Sequence, residues 1–230
     1  MSDDCIIAKN RYGSYCVPRS SRRRPASRAI LGSDVWEPGT LDLLRAVDPQ
    51  GDIVHAGAFF GDFIPALARS RQAGARVWAF EPSSENHRCA EATVALNELD
   101  NVVLTRAALD EAAGTALLAT YDEEGVPLGG GSHILRGRGD HERRRSEEVR
   151  LMAVDEVVGW DRRVAAIQLD VEDREHHALS GAMDTIARCR PLLVLEKSYG
   201  SVDWIADNLG PLGYERKGSV HGNAVLACPE

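Results

Sequence analysis

At 230 residues the chain is long enough for one domain with an ample core. Its hydrophobic content of 43% and charged content of 27% are those of an ordinary globular protein, and a formal charge of −8 argues against a general nucleic-acid binder, which needs a basic surface. No apolar run reaches membrane-spanning length, and the start, Met1-Ser2-Asp3-Asp4, has no basic, apolar leader pattern, so the cytoplasm is the expected compartment.

The five cysteines, Cys5, Cys16, Cys89, Cys189 and Cys228, are scattered and include no C-x-x-C pair. That predicts buried free thiols rather than a zinc site or a disulfide framework. Residues 1–40 lack the strand-and-helix alternation of the remaining chain and form an N-terminal arm, with 41–230 as the main domain. Arg11 to Pro18 suits a short strand or hairpin, and Ser20-Ser21-Arg22-Arg23-Arg24-Pro25 is a basic turn. Such a run is commonly a solvated loop; its sharper reading is a segment that covers the site and meets an anionic substrate. After Asp34-Val35-Trp36-Glu37-Pro38 comes a helix with Thr40 as N-cap and Leu41, Leu43, Leu44 and Val47 behind it.

The most informative stretch runs from Gly51 to Leu67. A β-prone run, Ile53 to Ala56, meets Gly57; Gly61 comes four residues on, and Phe60, Phe63, Ile64 and Leu67 recur at helical spacing. Strand, glycine turn and helix bring bare backbone and free N–H groups close to a ligand. Arg76 to Phe80 is a second strand that ends in Glu81-Pro82, and an acid there can accept both hydroxyls of a ribose. The glycines alone, spaced G-x-x-x-G, would suit any βα turn. Together with Glu81 they describe a nucleoside site.

Ser83 or Ser84 caps the next helix, which runs to about Asn97. Val102-Val103-Leu104 is a third strand, and the loop at Ala107-Ala108-Leu109-Asp110 lies where an adenine would sit. Gly114 to Leu118 adds a strand. Residues 120–148 are irregular: Gly129-Gly130-Gly131-Ser132-His133 is polar and flexible, and Arg136, Arg138, Arg143, Arg144 and Arg145 form a second basic cluster. Loops of this length are lids, binding loops or disordered segments. Glu148 to Val154 alternates like a strand, and Asp155 to Val158 starts a short helix.

Val164 to Leu169 is apolar almost throughout, as a central parallel strand must be, and ends in Asp170 and Glu172. Next comes one helix with Leu179, Ala182, Met183 and Ile186 on its buried face. His176 and His177 near its start read as surface or packing residues. Pro191 to Leu195 is another buried strand ending in Glu196-Lys197. A helix at 202–209 and two short strands close a doubly wound α/β sheet.

Taken together, these residues resemble the FkbM family of S-adenosylmethionine-dependent methyltransferases, from about Trp36 to Lys197. The strongest parts are Gly57-Ala58-Phe59-Phe60-Gly61, Ala79-Phe80-Glu81-Pro82, Ala107-Ala108-Leu109, and Leu169-Asp170-Val171-Glu172 followed by Glu175 and Leu179-Ser180-Gly181-Ala182. Arg190-Pro191 leading to Leu195-Glu196 also fits. The resemblance implies the class I methyltransferase fold: a Rossmann-like, doubly wound sheet of seven strands, mostly parallel, with an antiparallel last strand. It implies methyl transfer from S-adenosylmethionine, commonly to a hydroxyl of a sugar or secondary metabolite. The implied cofactor contacts are Glu37, His55, Gly57, Phe59, Gly61, Glu81, Pro82, Ser83, Ala108, Leu109 and Asp170. Three positions depart from the family pattern: His55 where aspartate is usual, Gln168 where lysine is common, and Asp173 where glycine is usual after the D-V-E run.

A hydroxyl is a poor nucleophile, so a base or a metal ion must help remove its proton. Asp170 and Glu196, at the ends of neighbouring strands, could hold Mg²⁺ or Mn²⁺ with His133 folding in; alternatively Asp170, Glu172 or His133 acts as base. Glu172 and Glu175 paired with Arg174 or with the basic loops is the purely structural alternative. Arg22, Arg24, Ser132, His133 and Lys197 are the expected substrate contacts. Their arginines suit an acidic sugar such as a uronic acid, or a nucleotide sugar. The partner is thus a small-molecule or glycan acceptor, with a homo-oligomer compatible. Two rivals share the features. An NAD(P)-dependent oxidoreductase would want the full G-x-G-x-x-G, and a non-catalytic nucleoside-binding module could use the same scaffold.

Overall fold

The computed structural model describes residues 5–135, 145–196 and 202–229. The chain begins as an antiparallel hairpin of β1 (Cys5–Asn10) and β2 (Gly13–Pro18). The Asn10 side chain makes the turn by accepting from the Tyr12 and Gly13 N–H groups at 2.8 and 3.3 Å. Here the expectation of five free thiols fails: Cys5 and Cys16 form a disulfide, their Cα atoms 5.6 Å apart. Cys16 faces Ile7 and Cys5 faces Pro18 across the hairpin, so folding places side by side two cysteines eleven residues apart. Cys89, Cys189 and Cys228 are the free cysteines among the described residues.

Two helices come next, α1 (Pro25–Leu31) and α2 (Pro38–Ala46). The second starts earlier than Thr40 because Pro38 supplies the first-turn φ without needing a hydrogen-bond donor. Thr40 is therefore inside the helix, its hydroxyl donating to Glu37 Oε2 at 3.0 Å.

The main body alternates β3 (Asp52–Ala56), α3 (Ile64–Arg69), β4 (Val77–Phe80), α4 (Ser84–Leu96) and β5 (Val102–Thr105). The helix α3 is shorter than its apolar spacing predicts, since Phe60 and Phe63 belong to the preceding turn. Then comes an insertion: β6 (Ala108–Leu109), β7 (Gly114–Ala119), β8 (His133–Ile134) and β9 (Ser146–Met152) form their own sheet in the order β6-β9-β7-β8. The chain returns through α5 (Val154–Val157), β10 (Val164–Leu169), α6 (Glu175–Ser180), α7 (Met183–Cys189) and β11 (Leu192–Leu195). It closes with α8 (Val202–Leu209), β12 (Glu215–Val220) and β13 (Asn223–Ala227). The predicted single helix after Glu172 is thus two. They part at Gly181, where a side chain would lie 2.1 Å from the Asp110 carbonyl oxygen.

The seven-stranded sheet has the order β12-β13-β11-β10-β3-β4-β5, and β13 is antiparallel to both its neighbours. This is the class I methyltransferase architecture. Successive residues of the central strands feed opposite cores, as a period of two requires. Val54, Phe80, Ile167 and Leu169 pack on one face, and Ile53, Ala79, Ala166 and Val194 on the other. Each of these side chains larger than alanine contributes about 1.5–3 kcal/mol by leaving water. His55, Gln168, Asp170 and Glu196 continue the second face past the carboxyl ends of β3, β10 and β11, where strand order reverses.

Candidate active site

The site is built around one close contact. The Asp170 N–H donates to the Ala56 carbonyl at 3.1 Å, and the Gly57 and Ala58 N–H groups both donate to Phe80 O at 3.1 Å. Gly57 has φ +81°, and a Cβ there would sit 1.9 Å from the Asp170 carbonyl oxygen. Only glycine can occupy it. Gly57 and Asp170 form a wall with a cavity on each side, and they line both.

On one side the lining is largely apolar: Phe80, Pro82, Ala107, Ala108, Leu109, Leu118 and Ile134. Glu81 closes its base, 4% exposed. Its Oε2 accepts the Phe59 N–H at 2.8 Å, and its Oε1 accepts the Ser83 N–H at 2.9 Å and Asn86 Nδ2 at 3.3 Å. An ionised carboxylate has about four acceptor positions, so room remains for a ligand hydroxyl. Burial pushes Glu81 up to about 7, against the pull of those three donors. These groups fit a nucleoside: an apolar slot for a base, and a fixed acid for a ribose. The free space is only about 40 Å³, because Gly130, Ser132, His133 and Ile134 line it from the inserted sheet's side. A purine enters only if that segment gives way.

On the other side lies a cavity of about 380 Å³ of opposite character. Five carboxyl groups line it, from Glu37, Asp62, Asp170, Glu172 and Glu196, against one guanidinium, that of Arg24. Arg24 itself donates to Pro127 O at 2.8 Å. Glu37 is anchored by Asn223 Nδ2 at 2.6 Å. Burial pushes Asp62 up to about 7. Asp170 is held well above the usual carboxylate range, first by burial and then by the neighbouring Glu196. Glu172 rises to about 7 through burial, then through Glu196. Oxygen atoms of Asp170, Glu172 and Glu196 lie within 4.8 Å of one another. The turn that brings Glu172 there is left-handed at two successive side-chain-bearing residues, Glu172 (φ 53°) and Asp173 (φ 68°). Each costs about 1–2 kcal/mol, which the rest of the fold must offset.

His55 and Gln168 pair between β3 and β10, their backbones in register. His55 Nδ1 meets Gln168 Oε1, and the ring stacks on Phe63 with centroids 5.8 Å apart. Burial pulls His55 down to about 4, so it is neutral at physiological pH. In the tautomer whose Nδ1–H donates to Gln168 Oε1, Nε2 is a buried lone pair without a partner.

Of the expected cofactor contacts, Gly57, Glu81, Pro82, Ala108, Leu109 and Asp170 line the nucleoside side, whereas Glu37, His55 and Phe59 line the acidic side together with Glu172, Glu196 and Arg24. Ser83 touches the site through Glu81, and Gly61 lines neither cavity; with φ +83° it serves the turn. Ser132 and His133 line the nucleoside side together with Asp170, His133 lying on β8 of the inserted sheet. Other expectations need correction. Arg22 is exposed, bonded to Arg19 O at 3.3 Å, and lines neither cavity. Arg174 pairs with Asp110, not with Glu172 or Glu175. Lys197, Arg136, Arg138, Arg143 and Arg144 lie outside the described residues, and Arg145 stacks over Tyr121. Sequence reasoning missed Asp62; its only signal is a carboxylate directly after Gly61 in an otherwise apolar turn.

Comparison with known families matches residues 55–214 to the methyltransferase FkbM domain. A search of curated proteins gives no match. Among solved structures, the chain is similar to a methyltransferase FkbM from Methylobacillus flagellatus KT, at 16% identity and a TM-score of 0.51 over 78% of this chain and 43% of that one. It is also similar to TYW2 of M. jannaschii, crystallised with AdoMet, at 11% identity and a TM-score of 0.51 over 99% of this chain and 85% of that one. At these identities the likeness is one of fold, and this chain spans less than half the length of the first relative.

Proposed function

The chain belongs to the FkbM methyltransferase family, and from that premise we propose that it transfers a methyl group from S-adenosylmethionine to a hydroxyl of a sugar or glycan. The observation that carries this reading is the wall at Gly57 and Asp170, with a nucleoside-type slot on one side and an acid-lined cavity on the other. When bound, S-adenosylmethionine supplies a methyl group already activated by its sulfonium charge. The chain's task is then alignment and proton removal. Glu81 accepts the ribose hydroxyls, Ala107, Ala108 and Leu109 cover the base, and the bare Gly57 lets the donor lie against the wall. Asp170 takes the acceptor's proton. Its raised affinity for protons makes it a stronger base, once ionised, than an exposed aspartate. A divalent cation of the Mg²⁺ or Mn²⁺ type at Asp170 and Glu196 belongs to the same proposal.

An acidic sugar suits this cavity poorly. One guanidinium against five carboxyl groups repels a uronate rather than receiving it. A neutral or amine-bearing sugar suits the cavity better. Among the described residues no helix is long and apolar enough to cross a membrane. The Cys5–Cys16 bond is of a kind that persists in oxidising compartments, so the cytoplasmic expectation is tested by the thiol state of the isolated protein.

Transfer of labelled methyl groups from S-adenosylmethionine to a panel of neutral, amino and acidic glycosides tests the reading. Turnover is expected with neutral or amino members and little with uronates. S-adenosylhomocysteine is expected to raise the melting temperature and NADH to leave it unchanged. A protein that ignores S-adenosylhomocysteine, or transfers no label to any glycoside, ends the proposal.

A further inference from the structure

We propose that Asp170, Glu172 and Glu196 form a three-carboxylate site for a divalent cation on the acid-lined side of the wall, with Glu172 the ligand that completes it. The inference rests on the methyl-transfer reading only in giving the ion an acceptor hydroxyl to hold.

Three facts of geometry bring the ligands together. Leu169 and Leu195 are register partners on β10 and β11, so the next residues along, Asp170 and Glu196, leave the sheet side by side. The Asp170 and Glu196 N–H groups are fixed to Ala56 O and Leu169 O at 3.1 and 2.8 Å, which makes the two positions rigid. The left-handed turn at Glu172 and Asp173 then folds a third carboxylate back toward them. One oxygen from each, all within 4.8 Å, can converge on an ion at the roughly 2.0–2.6 Å that Mg²⁺, Mn²⁺ and Ca²⁺ prefer. Among the described residues none of the three forms an ion pair with lysine, arginine or histidine.

A separate observation points to an occupant. His55 lines the same cavity, is 3% exposed, and its Nε2 has no hydrogen-bond partner. A buried lone pair needs a donor or a cation. Ionised carboxylates offer neither, and the one guanidinium lining the cavity, that of Arg24, donates to Pro127 O. A hydrated divalent ion supplies both at once. All-oxygen ligation favours Mg²⁺ or Mn²⁺ over Zn²⁺, and leaves positions for water and the acceptor's hydroxyl oxygen.

The test uses the full chain, treated with chelator and free of cofactor and acceptor. Mn²⁺ is titrated and followed by electron paramagnetic resonance and calorimetry, with Mg²⁺ as competitor. One Mn²⁺ per chain is expected, binding tighter than about 1 mM. Glu172→Gln is expected to weaken it about tenfold, and Asp170→Asn combined with Glu196→Gln to abolish it. Asp42→Asn, on the exposed face of α2, is expected to change nothing. Circular dichroism and melting curves establish that each variant is folded. No Mn²⁺ binding by the wild-type chain, or binding indifferent to Glu172→Gln and to the double variant, overturns the site. An amino sugar that raises the melting temperature of a chain that binds no Mn²⁺ overturns it too, in favour of an ammonium. Failure of Mn²⁺ binding removes the cation and leaves methyl transfer resting on Asp170 as base, whereas failure to bind S-adenosylhomocysteine with Mn²⁺ binding intact sinks only the methyl-transfer reading.

Discussion

The two cavities beside Gly57 share a wall and little else. One is lined by Ala107, Ala108, Leu109, Leu118 and Ile134 and holds almost no free space; the other is roomy and holds five carboxyl groups. The first recognises by shape and by one acid, Glu81. The second gathers carboxyl groups whose affinity for protons is raised by burial, and for Asp170 and Glu172 by their neighbours as well. An apolar slot can be filled by any flat ligand, so its selectivity lies in Glu81. The acidic cavity selects by sign. On the proposed function, donor recognition and acceptor chemistry are separable, and the wall is where they meet.

The largest test of that division is the wall itself. Gly57→Ala forces a side chain onto the Asp170 carbonyl in a backbone conformation that L-residues rarely adopt. S-adenosylhomocysteine affinity measured by calorimetry is expected to fall about 100-fold or more, and melting to drop as well, since both cavities lose their boundary. Next in size, Glu81→Ala removes the one fixed acid of the slot. We expect about 30-fold weaker S-adenosylhomocysteine binding, the worth of a charge-assisted hydrogen bond or two, with Mn²⁺ affinity unchanged. Loss on both sides would mean the cavities are not independent.

A smaller effect separates the sides by pH. Glu81 is raised from 4.5 to about 7 by burial, so in the empty protein it ionises only near neutrality. Binding that needs its ionised form should strengthen about tenfold between pH 6 and 8. The stability of the empty protein moves the other way. The folded state holds this proton more tightly than the unfolded one, so stability is lost as pH rises from 4.5 to about 7. Glu81→Gln should flatten both trends. His55 has the opposite sign. Its folded value, about 4, lies below the usual 6.5, so its contribution is complete at neutrality and disappears as pH falls from 6.5 to 4. Urea melts of the wild type and His55→Asn should coincide in slope at pH 7 and diverge only in acid, the smallest of these effects under working conditions.

How much of the molecule is legible in its sequence depends on how local each signal is. Gly57, Glu81 and Asp170 can be placed because strand, turn and strand-end acid are read within a few residues of one another, and alternating elements give the sheet class. Features that need register between distant strands are out of reach. Nothing near His55 announces Gln168, 113 positions away, and nothing near Cys5 announces Cys16 without the hairpin. The break in the helix at Gly181 is made by the Asp110 carbonyl, a tertiary neighbour that periodicity cannot see. His133 reads in sequence as part of a free polar loop that folds in on the acids. Instead Ala119 and Ile134 lie on paired strands that carry it to the slot. The arginine runs stand out in sequence because each is local, whereas the five acids gather from four separate places in the chain, Asp170 and Glu172 sharing one turn.

The strip from Gly129 to Ile134 has one more effect. It is tied down on two sides, by Asn86 Nδ2 to Gly129 O at 3.1 Å and by Arg24 to Pro127 O just before it. If the slot holds the donor as proposed, that strip must yield as donor enters and spent donor leaves.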